Sequence, residues 1–348
     1  MPASFAQPGV PRAASVLIVG GTGAISRAIV RSLLRRGHEV AVFHRGLSVD
    51  APPDGVRVIR GDRRDRDTFE SVMRRERFDA VIDMISFDAQ DAASAVSALR
   101  GRVGHFVHCS TVMTYGPPFV GLHQDETAPL NGRNANSYAA GKVAADELLL
   151  TAHADEGFPA TIVKPTFTYG PGRDLFRQLS LTTDWIDRLR KGKPILSAGD
   201  GQNYYQFMPA ADAGEAFAGL IGDPASVGQV YNLVHPEPLT WDDWYRATAQ
   251  VLGVEARIVH APQDLLLKIA PERYSYLPRN FGCTQIISGA KLAKLLPDWR
   301  PVTGRLDAIA ATLAWMDQHH RVTDSDADTL EDRIVAEMTA LAGRLTAA

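Results

Sequence analysis

Hydrophobic and polar positions in the first half of the chain alternate between two patterns. Short apolar runs at 15–19, 39–43, 56–60, 80–84 and 105–108 have the length and β-branched content of buried strands. Between them the apolar residues recur at helical spacing, as at Ile29, Leu33 and Leu34. Strand and helix in alternation predict a parallel sheet covered on both faces, an α/β fold. Beyond a sixth strand near 164–171 the pattern changes. Residues 172–195 predict a loop and a helix carrying Trp185, Ile186 and Leu189, and 240–252 a helix opened by Thr240 with Asp243 three residues on. Segments 207–212 and 229–233 are expected to return to the sheet. After a linker at 322–328, a last helix carries Leu330, Ile334, Met338, Leu341 and Leu345 on one stripe, fit to cap the domain or to meet another subunit.

Composition narrows the class. A chain of 348 residues with 45% hydrophobic content buries a large core, enough for one main domain and a smaller second lobe. A net charge of −3 provides no electrostatic footprint for nucleic acid, and the arginine runs at 60–66 and 74–77 are interleaved with acids. Residues 1–14 predict a disordered tail without the apolar stretch of a signal peptide, and no run reaches membrane-spanning length. Two cysteines, Cys109 and Cys283, form no framework, and a reduced cytoplasmic setting is expected. No His or Cys group has metal-ligand spacing, so no metal is expected.

Two places carry chemistry. The first strand runs into Gly20-Gly21-Thr22-Gly23-Ala24-Ile25-Ser26 and then a helix, the order of a pyrophosphate cradle, with a serine at the third small position. The second strand ends at His44-Arg45, where an acid would bind the ribose 2′-hydroxyl of NAD; Arg45 suits a 2′-phosphate instead. NADP is therefore the expected cofactor and NAD the alternative, with a solvent-facing Arg45 as the bland reading. The second place is Tyr138-Ala139-Ala140-Gly141-Lys142, where a phenol and an ammonium share one helix face. The ammonium is expected to favour the phenolate, bringing Tyr138 into reach of acid/base work near neutrality.

Further motifs stand in one order: Gly61-Asp62, Ser110-Thr111 with Tyr115-Gly116, the run from Asp125 to Pro129, Tyr138 with Lys142, and the run from Lys164 to Pro171. Together they resemble the extended short-chain dehydrogenase/reductases, the NAD(P)-dependent epimerase/dehydratase group acting largely on nucleotide sugars. The resemblance implies a Rossmann-type doubly wound parallel sheet with a smaller C-terminal substrate-binding lobe. It assigns residues 15–171 and about 205–235 to the dinucleotide domain, about 172–204 and 236–320 to the lobe, and 321–348 to a linker and helix. It implies Thr111, Tyr138 and Lys142 as the catalytic residues. Cofactor contacts are implied at Gly20, Thr22, Gly23, Ala24, Ile25, His44, Arg45, Asp62, Arg63, Met84, Ser86, Pro165 and Phe167, besides Tyr138 and Lys142. Substrate contacts are implied at Ser86, Thr111, Val112, Met113, Phe167, Tyr205, Gln206 and Arg279. A homodimer paired through the helix of Tyr138 is implied as well, with Val143, Leu148 and Leu149 supplying apolar surface.

Departures from the family pattern bear on the substrate. Val112-Met113 replaces the acidic pair of the 4,6-dehydratases, which argues against water elimination. Lys164 and Phe167 replace an arginine and an asparagine, and both are expected near the substrate. Tyr205 or Gln206 stands where a diphosphate-binding arginine is usual, so Lys193, Arg188 or Arg279 would have to supply that charge. The segment 273–281 suits a pocket wall or an ordinary core-and-rim segment equally. Epimerisation of a nucleotide-sugar hydroxyl through a keto intermediate is the main expectation, net NADPH-dependent ketone reduction its rival. A non-catalytic cofactor-binding or RNA-associated protein is the reading from another class.

Overall fold

Seven strands pair in parallel to form the central sheet: β1 (Ser15–Val19), β2 (Glu39–His44), β3 (Arg57–Arg60), β4 (Ala80–Asp83), β5 (His105–Cys109), β6 (Ala160–Pro165) and β7 (Val230–Leu233). These coordinates are a computed structural model describing residues 13–47 and 51–346. Residues 1–12 of the expected tail lie outside the described residues. Ala14 does not behave as tail, since its N–H donates to His38 Nδ1 and its carbonyl accepts from Glu39. The strand order is β3-β2-β1-β4-β5-β6-β7. It reverses direction between β1 and β4, and a crevice opens there at the carboxyl ends of the strands. That reversal places the site.

Both sheet faces are covered, as near-continuous apolar strands require. On one face α1 (Ala24–Arg35) and the helix Ala210–Leu220 bury Ile29, Leu33, Ala213 and Phe217 against Val16, Ile18 and Val107. On the other, α2 (Arg66–Arg75), α3 (Ala89–Leu99) and α4 (Ser137–Glu156) bury Phe69, Met73, Ala95, Val96 and Leu149 against Leu17, Val19 and Phe106. Val143 and Leu149 of α4 are thus buried within the chain, and Leu148 packs half-buried beside them. Those three side chains, on which pairing of subunits was expected to draw, have intrachain partners.

A second, aromatic core is built from the later segments. Trp185, Ile186 and Leu189 of the helix Asp184–Arg190 meet Trp241, Trp244 and Tyr245 of the helix Trp241–Leu252. Thr240 caps that helix, accepting from the Asp243 amide and donating to its carboxylate. Phe207 stacks on Trp244 with ring centroids 4.3 Å apart. Residues Phe207–Pro209 do not return to the central sheet as expected. They pair in parallel with Phe167–Tyr169 in a separate two-stranded sheet. The Val230–Leu233 segment does join the central sheet.

The last helix, Thr329–Thr346, packs through Ile334, Val335 and Met338 into a neighbouring cluster with Leu179, Leu196, Leu266 and Leu277, while Leu341 and Leu345 stay exposed. Its anchor is a buried charge that the stripe did not foretell. Glu331 accepts from Arg177 through both carboxylate oxygens at 2.7 and 2.9 Å and from the Leu196 amide at 3.0 Å, with Arg188 at 3.4 Å. Asp184, Asp328 and Glu331 converge here closely enough to hold a cation, but Arg177, Arg188 and Arg273 already meet them. No described helix is long and apolar enough to cross a membrane.

Candidate active site

The carboxyl ends of β1, β2, β4, β5 and β6 open into one cleft of about 990 Å³. At its β1 end lie Gly20, Thr22, Gly23, Ala24 and Ile25. Helix α1 starts at Ala24 with no side-chain cap and no acid in its first turn, so its leading amides and positive dipole end face the cleft. A methyl group built on Gly23 would meet only Ser26 Oγ, 3.9 Å away, which leaves open space above the helix start. Ser26 in the third small position donates to the Gly20 carbonyl at 2.8 Å and ties the turn together. Uncapped amides over an open cradle fit a dinucleotide pyrophosphate.

Arg45 is exposed on the cleft wall at the β2 end, and Arg64 lies nearby. His44 beside it is buried; its Nδ1 accepts from the Gly46 amide, and burial with the charge of Arg60 lowers its pKa, keeping it neutral. Asp62 lines the same wall and accepts from the Arg64 amide at 2.9 Å, and Met84 lies across from it. Two expected contacts are redirected. Arg63 lines the cleft, but its guanidinium turns inward over the Phe69 ring at 3.9 Å and reaches Asp83 at 3.6 Å and the Asp91 carbonyl, because those buried groups need a cation. Ser86 is fully buried and does not line the cleft; its carbonyl accepts from Lys142.

The three expected catalytic side chains do meet at the cleft floor. Thr111 follows β5 and caps the turn Val112–Tyr115 by accepting from Met113 N–H. Tyr138 stands in the first turn of α4, whose Asn136 cap accepts from the Ala139 amide. Gly141 lets α4 press against the loop after β4, since a Cβ there would sit 2.4 Å from the Phe87 carbonyl oxygen. That approach delivers Lys142 Nζ to the Ser86 and Cys109 carbonyls, at 2.7 and 2.6 Å.

This anchoring corrects the expected electrostatics. Lys142 is held by two carbonyls and does not bring Tyr138 down. Although 41% of Tyr138 stays exposed, desolvation of its phenol within the cleft pushes it up to about 12, Cys109 adds to the rise, and Arg173 and a hydrogen bond with Thr111 act against it. Burial likewise lowers the Lys142 pKa. In the unliganded protein the Tyr138 phenol keeps its proton at physiological pH.

Substrate positions divide. Val112, Met113, Phe167, Tyr205 and Arg279 line the cleft, with Pro165 at the end of β6. Gln206 does not. It is buried with its amide donating to the His235 and Ile287 carbonyls and accepting from the Ile287 amide, so it staples core segments. Lys164 is also buried away from the cleft, 3.2 Å from Asp146 and donating to Thr114, because the core carboxylate of α4 needs a partner. Nor do Lys193 and Arg188 supply a clamp, being paired with Asp326, Asp332 and Glu331. From the segment 273–281, Tyr276, Arg279 and Phe281 line the wall, while Arg273 pairs with Asp328.

The residue that the sequence reading missed is Arg173. It lines the cleft with its guanidinium over Phe167 at 5.5 Å and Phe176 at 5.1 Å. Its only sequence signal was its place directly after Gly170-Pro171-Gly172 at the end of the sixth-strand motif.

With this geometry in hand, similarity to known proteins is informative. The sequence profile described as "NAD dependent epimerase/dehydratase family" matches residues 16–233. The 2′-dehydrokanamycin reductase of Streptomyces kanamyceticus is 30% identical over 334 residues, 95% of this chain and 91% of that one. The chloroplast stem-loop binding protein of 41 kDa b of Arabidopsis thaliana is 27% identical over 260 residues, 70% of this chain and 65% of that one. Among solved structures, UDP-glucose 4-epimerase of Thermotoga maritima superposes with a TM-score of 0.71 at 17% identity, covering 88% of this chain and 99% of that one, which speaks to the fold alone.

Proposed function

We propose that this chain, which belongs to the NAD dependent epimerase/dehydratase family, is an NADPH-dependent ketoreductase acting on a sugar or similar polyhydroxylated ketone. The observation that carries the reading is the pairing of two hydroxyl donors, Thr111 and Tyr138, in a cleft whose adenosine end carries Arg45 and no acid at the β2 terminus. When bound, the nicotinamide supplies or accepts the hydride. Thr111 and Tyr138 hydrogen-bond the reacting oxygen, and Tyr138, neutral through burial, gives that oxygen its proton during reduction. Lys142 holds the ends of β4 and β5 and offers an ammonium to a ribose hydroxyl.

Epimerisation would use the same three residues with a retained cofactor. Net reduction is favoured by the cations at the β2 end and by the near full-length similarity to a protein named as a reductase. Of the positions expected to hold a diphosphate, Gln206, Lys193 and Arg188 are committed elsewhere, which leaves Arg279 on the cleft wall to meet one. The similarity to a stem-loop binding protein keeps an RNA-associated role in view, but an intact donor pair with an anchored lysine has no use there. A homodimer in a reduced cytoplasmic setting completes the proposal, and sedimentation reads the pairing directly.

Mass spectrometry of nucleotides released from denatured protein, followed by NADPH oxidation against a panel of keto sugars, tests the reading. Little bound nucleotide and strict NADPH dependence are expected. Stoichiometric retained NAD with turnover in the absence of added nicotinamide would establish the epimerase instead. Arg45→Asp is expected to weaken NADPH binding about tenfold or more, since a charge-assisted contact contributes roughly 1.5–3 kcal/mol, and to leave NADH within about twofold. Fluorescence titration of both nucleotides checks this; equal losses for the two would remove the 2′-phosphate contact.

A further inference from the structure

We propose that Arg173 is a specificity residue whose guanidinium binds an anionic group, carboxylate or phosphate, carried by the substrate close to its reacting carbonyl. This inference rests on the carbonyl-reducing reading of the same cleft. Three arginines among the described residues are buried, and each has counter-charges: Arg63 with Asp83, Arg177 with Glu331 and Asp184, and Arg188 with Glu331 and Asp332. Arg173 differs. It forms no hydrogen bond or ion pair with a described residue, and its neighbour Asp174 is bound by Arg321 through both oxygens at 3.0 and 2.8 Å. Two phenyl rings flank it, and burial lowers its pKa. A half-buried cation in a cleft with no hydrogen-bonded counter-ion gains from a ligand anion.

The surroundings point to the substrate rather than the cofactor. Gly172, at φ +103°, packs its backbone against Ala24 at the start of α1, where an added Cβ would sit a tight 3.2 Å from the Ala24 backbone. The chain then turns away, and the Arg173 side chain runs over Phe167 and Phe176 towards Tyr138 and Tyr205, with which it interacts electrostatically. The only carboxylates among the described lining residues, Asp62 and Asp91, lie at the cofactor end, and Asp91 is paired with Arg66. Arg279 stands on the same wall as Arg173. A planar fork held between aromatic faces suits bidentate recognition of an oxyanion.

The test is calorimetry on the full chain saturated with NADP⁺, using malonate and its uncharged dimethyl ester as matched probes, inorganic phosphate as a third, and NADPH affinity as an independent readout. Malonate or phosphate is expected to bind the wild type at least about tenfold more tightly than the ester, and Arg173→Leu, which keeps apolar contact with the two rings, is expected to abolish that preference. Arg173→Lys retains the charge without the fork and is expected to fall between them. NADPH affinity should be the same in all three proteins. Equal binding of malonate and ester to the wild type would overturn the proposal, as would an undiminished preference in Arg173→Leu. A loss confined to NADPH would assign the guanidinium to the cofactor pyrophosphate and overturn it too. Should the leucine variant fail to fold, the lysine variant decides, since unchanged probe and ester affinities there would exclude a bidentate clamp. Because these readouts are binding constants, failure here leaves the carbonyl-reducing reading to stand or fall on turnover.

Discussion

Replacing Tyr138 by phenylalanine should lower kcat for ketone reduction about 10²-fold or more, a loss of roughly 2.7 kcal/mol in transition-state stabilisation. The expectation follows from place and protonation together. Tyr138 shares the cleft floor with Thr111, and burial pushes its phenol up to about 12, so it carries its proton throughout the physiological range. Removing only the hydroxyl preserves the ring contact with Phe87, at 6.3 Å between centroids, and the Asn136 cap of α4. NADPH affinity and the thermal midpoint should therefore change little. The sign of the pH dependence is fixed by the same group. A proton donor with a raised pKa stays competent until pH climbs towards that value, so kcat/KM for reduction should not fall between pH 7 and 9 through this residue. Turnover undiminished in the phenylalanine variant, with folding intact, would remove Tyr138 from the chemistry.

Loss of Glu331 should be the most damaging single change to stability. Glu331→Ala is expected to cost about 3–5 kcal/mol, because it strands the buried guanidinium of Arg177 and removes a partner from Arg188. The Leu196 amide also loses its acceptor. Urea unfolding followed by tryptophan fluorescence reads the effect, with Trp185, Trp241 and Trp244 all buried in the adjoining core. Burial by itself would raise the Glu331 pKa, but Arg177, Arg188 and the Leu196 amide together hold it below the ordinary value. A depressed acid contributes its stability fully above the unfolded pKa of about 4.3 and loses it as pH falls through the lower folded value. Wild type should thus lose this increment only in that acid window, whereas Glu331→Ala lacks it at neutral pH. A urea midpoint equal to wild type would show that the charge cluster does not hold the last helix.

Much of the first half was legible because its signals are local. The apolar runs of β1, β4 and β5 can only be buried strands, and the glycine turn after β1 and the four-residue spacing of Tyr138 and Lys142 are backbone periodicities written within a few residues. The reach of a long polar side chain is not local. Lys164 and Gln206 were expected near the substrate and instead serve Asp146 and Ile287, and Arg63, though it lines the cleft, reaches inward to Asp83, each partner many positions away in the chain. Lys142 and Tyr138 were correctly placed on one face, yet the carbonyls of Ser86 and Cys109 decide what the ammonium does.

The sequence by itself determined the strand–helix alternation, the glycine turn that opens α1 and the shared helix face of Tyr138 and Lys142, since these follow from spacing and backbone chemistry along one stretch of chain. Only the tertiary structure decided which cations are free to meet a ligand. Whether a guanidinium is consumed by Glu331, as in Arg177, or left between two rings without a counter-charge, as in Arg173, depends on carboxylates brought together from distant segments, and a linear pattern carries no record of those meetings.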